Sequence, residues 1–150
     1  MDSRLRDISD YLLAQKDWSE INPASIAAKL LPLLFILDIE RSDSGIALRI
    51  RLIGTAIDGV FRRPLKGHLL EEFIHGPRGK QVIESFHHCA DTREPIWMRQ
   101  VVPLKDGPPR FVEGVAVYVP PERIYGGLII GEYALPSQQA TFEREILTRY

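Results

Sequence analysis

Alternating apolar and charged residues in the first half of the chain most constrain its fold. Ile46, Leu48 and Ile50 are interleaved with arginines, which predicts a strand buried on one face. The apolar run at 33–37 predicts a more fully buried strand before it. The turn-forming residues 41–45 separate the two strands, so an antiparallel pair is expected.

Two compact helical stretches and three more strand-like stretches follow this pair. The longer helix is predicted at about 80–92, and its inner face would be Val82, Phe86, Cys89 and Ala90. The later strands fall within 96–134, between turns rich in proline and glycine. This order predicts an α+β domain with a pocket between sheet and helices. We expect stretches 33–53 and 96–134 to lie side by side in one antiparallel layer.

Amphipathic stretches are predicted at both ends of the chain. Residues 4–16 predict a helix with an apolar stripe, and a second helix is expected from Asn22 to Pro32. The tail after residue 135 predicts a short helix with an apolar face of Phe142, Ile146 and Leu147. The chain is thus expected to divide into an N-terminal helix, a central domain and a helical tail, at 1–21, 22–135 and 136–150.

Length and charge narrow the classes of function. A chain of 150 residues accommodates one domain with a sizeable core, and a net charge of −1 gives no general attraction to nucleic acid or anionic lipid. A single cysteine fits a reducing compartment. The N-terminus lacks the apolar core of a signal peptide, and the run 26–37 is too short to span a bilayer. We therefore expect a cytoplasmic protein with no membrane or nucleic-acid partner.

Several local segments carry a family resemblance. The order of predicted elements over about 22–134 is similar to that of the PAS fold. The chain resembles a bacterial PAS subfamily whose members often form nearly the whole protein, in the segments LPLLFILDIE (31–40), RLIGTAI (51–57), LKGHL (65–69) and REPI (93–96).

The resemblance implies a PAS-like, profilin-like fold, with a five-stranded antiparallel sheet and helices on one face. It further implies a sensory or signalling module, without catalytic activity, that binds a small ligand or a protein partner. The kinase, cyclase or DNA-binding domain that usually receives the signal is not in this sequence, so the output is expected to act in trans. Ligand occupancy would shift helix 80–92 and the loop Phe61–Gly67 relative to the sheet.

The candidate ligand pocket consists of residues expected between the helices and the sheet. Trp97 and Met98 are neighbours on one strand, so only one of them can face the pocket. Gln100 and Gln81 are further polar candidates. Glu132 is predicted as an inward-facing carboxylate. The full candidate set is Phe61, Phe73, Phe86, His87, Trp97, Met98 and Glu132.

Cofactor and metal chemistry is a less favoured alternative. Haem could be bound through His87, which borders the buried face of the long helix. His87 and His88 diverge by about 100° on a helix and cannot easily share a zinc ion. His68 and His75 lack an accompanying cysteine pair. Cys89 has no Asn-Cys-Arg context of the kind flavin photoreceptors of the PAS class need, and its inward position favours an inert thiol.

Two alternatives to a ligand sensor remain open. One is a protein-interaction adaptor with a filled core, and the other is a small enzyme, for which only Glu132 and His87 are inward polar candidates. The sequence also contains a modest basic cluster, which predicts a solvated face rather than a phosphate site because no glycine-rich loop follows a strand. Its residues are Arg62, Arg63, Lys66, Arg78 and Lys80.

The N-terminal stripe needs a surface to cover it. It could lie on its own sheet or pair with a second copy, and we favour a homodimer because PAS modules frequently dimerise through a leading helix. The residues of this candidate dimer surface are Leu5, Ile8, Tyr11 and Leu12.

Overall fold

Six antiparallel strands form one open sheet in the order β2-β1-β5-β4-β3-β6. The computed structural model describes residues 1–15, 25–61, 64–74, 76–103 and 107–147. The strands are β1 (Leu34–Ser42), β2 (Gly45–Ile53), β3 (Ile96–Val102), β4 (Arg110–Val119), β5 (Arg123–Tyr133) and β6 (Phe142–Ile146). The helices are α1 (Ser3–Leu13), the short α2 (Thr55–Asp58) and α3 (Gly76–Thr92).

Both predicted strand groups belong to this sheet. β1 pairs with β2 through the tight turn before Gly45, whose positive φ of 123° suits glycine. β1 also pairs with β5, with Leu34 opposite Gly127. The α+β class and the placement of 33–53 beside 96–134 in one antiparallel layer are therefore confirmed.

The alternation that predicted β2 has the expected physical basis. Leu48 and Ile50 are almost completely buried on the inner face of the sheet, whereas Arg51 points to the opposite face. Arg51 Nη1 lies 3.4 Å from Asp38 Oδ2, and Arg123 Nε on β5 lies 2.9 Å from Asp38 Oδ1. Arg51 of β2 therefore forms an ion pair across strands at the surface, which is a structural role.

Helix α3 covers the inner face of the sheet. Its buried side includes Val82, Phe86, Cys89 and Ala90, as its periodicity predicts. These side chains share one apolar cluster with residues of β1 to β5, including Met98 and Ile124. This cluster is the main core of the domain.

Helix α1 covers the outer face of the sheet, which is one of the two alternatives that the sequence left open for its apolar stripe. Leu5, Ile8 and Leu12 are buried against Trp97 and Tyr125 of their own chain. The outer face of this sheet is apolar, so its packing against α1 removes from water both that face and the apolar stripe of the helix.

Two adjacent glycines on β5 allow side chains on both faces of the sheet to approach its backbone closely. A Cβ on Gly127 would lie 2.6 Å from Ile8 Cδ1, so α1 approaches the sheet where a side chain is missing. A Cβ on Gly126 would lie 2.0 Å from the Val115 carbonyl oxygen and 2.6 Å from Phe35 Cζ on the inner face. Only glycine fits at these two positions without displacing neighbouring atoms.

A carboxylate fastens the start of α1 to the outer face. Glu113 Oε2 on β4 accepts hydrogen bonds from the Trp97 indole Nε1 (2.9 Å) and from the Asp2 backbone nitrogen (2.7 Å). Asp2 caps the helix by accepting from the Arg4 backbone nitrogen at 2.9 Å. Arg4 also holds the pKa of the Asp2 carboxyl below its usual value, chiefly through a side-chain hydrogen bond.

The C-terminal stretch is not the predicted helix. Pro136–Gln138 form one 3₁₀ turn, and Phe142–Ile146 form β6, which pairs with β3. The sheet therefore has six strands rather than the five expected. Phe142 and Ile146 are four residues apart, a spacing that fits one face of a helix and also one face of a strand. The strand forms rather than the helix because the backbone groups at the open edge of β3 are hydrogen-bond partners for this stretch.

The predicted second helix is only partly observable. Its start, including Asn22, lies outside the described residues, and Ala28–Leu33 form a 3₁₀ helix that contains Pro32. None of the helices among the described residues has the length and apolarity needed to cross a membrane.

Candidate ligand cavity

A small cavity lies between the inner face of the sheet and the helical cover. Its volume is about 60 Å³. Every side chain in its wall is apolar; the lining residues are Phe35, Leu37, Ile50, Ile53, Ile57, Phe61, Leu65, Leu70, Phe73, Ile74, Val82, Phe86, Val102, Val112, Leu128 and Ile130. A cavity with such a wall favours apolar contents.

Two pairs of aromatic rings in the cavity wall meet edge to face. Phe35 and Phe86 have ring centroids 5.6 Å apart, and Phe61 and Phe73 have centroids 5.9 Å apart. Rings in this arrangement are held at steep angles to each other, so they cannot fill space as flexible aliphatic chains do. These rings come from the sheet, from α3 and from the segments on either side of residues 62 and 63.

Residues 64–74, called here the 64–74 segment, cover part of the cavity and are attached to the free edge of β2. The Gly67 nitrogen donates to the Ile50 carbonyl oxygen (2.7 Å), and the Ile50 nitrogen donates to the His68 carbonyl oxygen (2.9 Å). The Glu71 carboxylate accepts from the Leu48 backbone nitrogen at 3.1 Å. These bonds hold the segment in place, and its regular structure is the short 3₁₀ turn Leu70–Glu72.

Three of the seven predicted pocket residues line the cavity, namely Phe61, Phe73 and Phe86. Met98 faces the same side and is buried in the main core, but it does not reach the cavity wall. Trp97 faces the outer side and packs in the cluster beneath α1. The prediction that Trp97 and Met98 face opposite sides is confirmed, and Trp97 as a lining residue is wrong.

His87 lies at the edge of α3, outside the cavity. Its side chain is half-buried, and its Nε2 lies 3.8 Å from Glu71 Oε1, too far for a hydrogen bond. Haem does not fit this arrangement, because a porphyrin is far larger than the cavity and His87 is absent from the wall.

Glu132 is exposed, so its prediction as an inward-facing carboxylate is wrong. Leu128 and Ile130, two and four residues before it, line the cavity. The β4–β5 pairing shifts by one residue between Ile130 and Tyr133, since Val112 pairs with Ile130 whereas Arg110 pairs with Tyr133. This irregularity breaks the alternation of β5 before Glu132, and alternation in the sequence does not reveal it.

Gln100 is the buried polar residue of β3 on the inner face. Gln100 is only 2% exposed, and its Nε2 donates to Met98 Sδ at 3.4 Å. Its Oε1 is buried without a hydrogen-bond partner among the described residues. Gln81, the other glutamine that the sequence singled out, is exposed on α3.

The single thiol is deeply buried. Burial raises the pKa of Cys89 to about 12, so the thiol is protonated at neutral pH. Among the described residues, no three side chains of the types His, Cys, Asp and Glu are placed to share a metal ion. His75, Arg62 and Arg63 lie outside the described residues. Lys66 is exposed, and Arg78 Nη1 donates to Gln139 Oε1 at 3.2 Å.

Sequence reasoning missed the contribution of the strands to the cavity wall. Residues such as Val102, Val112 and Ile130 resemble any other core residue along the chain. The available signal was the period-2 alternation, which places Leu128 and Ile130 on one face. It does not show which core residues surround empty space, because that depends on packing between distant elements.

The chain matches no protein-family model, no curated protein and no solved structure in the comparisons with known proteins. The cavity and its surroundings are therefore the features that bear on function.

Proposed function

We propose that this protein is a stand-alone, PAS-like sensory module that binds a small apolar molecule in the cavity and acts in trans without catalysing a reaction. The observation that carries the proposal is the wholly apolar cavity of about 60 Å³ between sheet and helices. A fully packed core would have favoured the adaptor. The order of the elements along the chain also agrees with the PAS resemblance.

The size and wall of the cavity define the kind of ligand. If a water molecule needs about 10–15 Å³, the cavity has room for about four to six. Buried water also needs two to four polar partners, which an apolar wall does not offer. A compact apolar molecule can instead recover the dispersion contacts that the empty space lacks.

The signal would arise from differential binding. A ligand shifts a conformational equilibrium only by the difference between its affinities for the two states. The 64–74 segment and α3 form the helical side of the cavity, so an occupant that pushes them outward favours a state with an altered surface. That surface would contact a signalling protein or a second copy of the chain. The stripe Leu5, Ile8 and Leu12 is buried on its own sheet, so a dimer through it requires α1 to leave the sheet.

Xenon provides a direct test of ligand access. Under xenon pressure, methyl resonances of Ile57, Leu65 and Val112 should shift and saturate, because xenon binds to apolar cavities. Methyl resonances of Leu5 and Ile8 on the outer face serve as the internal control and should stay unchanged. Uniform or absent shifts would contradict the proposal and favour an adaptor with a filled core. Native mass spectrometry of protein from its own host would then report any retained ligand and the oligomeric state.

A further inference from the structure

One polar group stands out beside the cavity. Gln100 lies directly opposite Val112 in the β3–β4 pairing, and Val102 follows it on the same face of β3. Both valines line the cavity. The Gln100 side chain therefore projects from the inner face of the sheet beside two residues of the cavity wall, and Gln100 is not itself one of the lining residues.

The amide of Gln100 is only partly satisfied. Its nitrogen donates to Met98 Sδ, while its carbonyl oxygen is fully buried without a hydrogen-bond partner among the described residues. Buried side-chain acceptors are normally paired, and leaving one unpaired destabilises the folded state. Apolar residues of similar size would fill this position at no such cost. An unpaired carbonyl beside an apolar cavity is explained if a bound molecule supplies the missing donor.

We propose that Gln100 determines ligand specificity, and that the ligand is a small apolar molecule with one hydrogen-bond donor, of which an aliphatic alcohol is the simplest example. The apolar part would occupy the cavity, and its donor would meet Gln100 Oε1. Water meets this requirement poorly, because the apolar wall of the cavity offers a water molecule no second polar partner. The inference rests on the proposed function and adds the chemical class of the ligand.

Three probes of nearly equal size test the donor requirement. 1-Butanol has a donor, 1-fluorobutane lacks one, and methyl propyl ether has only an acceptor. Each is titrated into the wild-type protein and into Gln100→Met, and binding is followed through the methyl resonances of Ile57 and Leu65. The ratio of the 1-butanol and 1-fluorobutane affinities is compared between the two proteins, so that the cost of removing the alcohol from water cancels.

We expect this ratio to fall about tenfold in Gln100→Met, which is the effect of one lost hydrogen bond of ~1.4 kcal/mol. The affinity for 1-fluorobutane should be unchanged or slightly higher. Ser85→Ala is the matched control, because Ser85 is buried on α3 but its hydroxyl already donates to the Gln81 carbonyl oxygen at 3.0 Å. It should leave the ratio unchanged.

A measurement without ligand supports the same test. Gln100→Met should raise the midpoint of thermal unfolding, since it removes an unpaired buried acceptor, whereas Ser85→Ala should not raise it. If 1-fluorobutane binds but the ratio is the same in both proteins, or if only methyl propyl ether depends on Gln100, the donor inference is overturned while the cavity proposal stands. If no probe binds the wild-type protein, both proposals are overturned.

Discussion

Gly127 shows how one missing side chain positions an entire helix. Because its hypothetical Cβ would lie 2.6 Å from Ile8 Cδ1, Gly127→Ala should push α1 away from the sheet and destabilise the protein by about 1–3 kcal/mol. Gly131→Ala on the same strand is the control. Its nearest neighbour, the Phe111 carbonyl oxygen, would lie at 3.4 Å, so we expect a change of about 0.5 kcal/mol or less. Urea denaturation compares the two, and equal effects would contradict the close packing of α1.

Cys89 is expected to be chemically inert in the native protein. Burial raises its pKa to about 12 from an ordinary value of 9.0, so between these values the unfolded chain loses a proton that the folded chain keeps. The free energy of unfolding should therefore fall as pH rises through this interval. Between about pH 8 and about pH 10, the wild type should lose roughly 1 kcal/mol more stability than Cys89→Ala. Rapid alkylation of the native thiol by iodoacetamide would contradict its burial.

The hydrogen bonds of β6 alternate along the strand, which predicts a position-dependent effect of proline. Leu147 N donates to the Pro95 carbonyl oxygen at 2.8 Å, and Arg99 pairs with Glu143, so the odd-numbered residues of β6 direct their backbone groups toward β3. Glu143→Pro removes such a bond and should detach the strand, at a cost of about 3 kcal/mol. Arg144→Pro removes an outward-facing N–H and should cost clearly less.

Hydrogen exchange of β3 amides distinguishes these two proline variants. Glu143→Pro should lower protection at the β3 edge, whereas Arg144→Pro should leave most of it in place. Equal loss of protection in both would show that β6 is not hydrogen-bonded to β3 in this register.

Helix α1 contributes to stability as part of the single chain. Ile8 is completely buried, so Ile8→Ala should destabilise the protein by about 2–4 kcal/mol. Arg6→Ala, at an exposed position of the same helix, should have almost no effect. Chemical denaturation and light scattering at several protein concentrations test this. If the main effect of Ile8→Ala were loss of a dimer, the stripe would be an interface between copies instead.

The main core formed by the described residues contains the apolar cavity, and filling this cavity should change both stability and xenon binding. Val112→Ile adds one methylene at the cavity wall and should stabilise the empty protein by up to about 1 kcal/mol while weakening xenon binding. Val117→Ile on the same strand is the matched control, because Val117 is buried beneath α1 on the outer face. Overpacking there should cost about 1–3 kcal/mol and leave xenon binding intact. Thermal unfolding and the xenon-dependent shifts together decide the outcome.

Features that depend on neighbouring residues along the chain could be predicted from the sequence, whereas features that depend on contacts between distant segments could not. The faces of β2 and α3 follow from local periodicity, so Leu48, Ile50, Val82 and Phe86 are buried as predicted. The prediction of a helical tail is wrong because the pairing of Phe142–Ile146 depends on the free edge of β3, more than 40 residues earlier along the chain. The lining of the cavity could not be predicted in full for the same reason, since the cavity is a space between elements rather than a property of any one of them.

The paired glycines of β5 also make the molecule thin at its centre. Phe35, a residue of the cavity wall, rests on Gly126 from one side, and Ile8 rests on Gly127 from the other. The Phe35 ring and a single layer of peptide backbone therefore separate the cavity from the helix that coats the far surface. If an occupant displaced the Phe35 ring, the displacement would reach α1 through the backbone of two residues without side chains, which makes the N-terminal helix the place to look for an output of the proposed sensor.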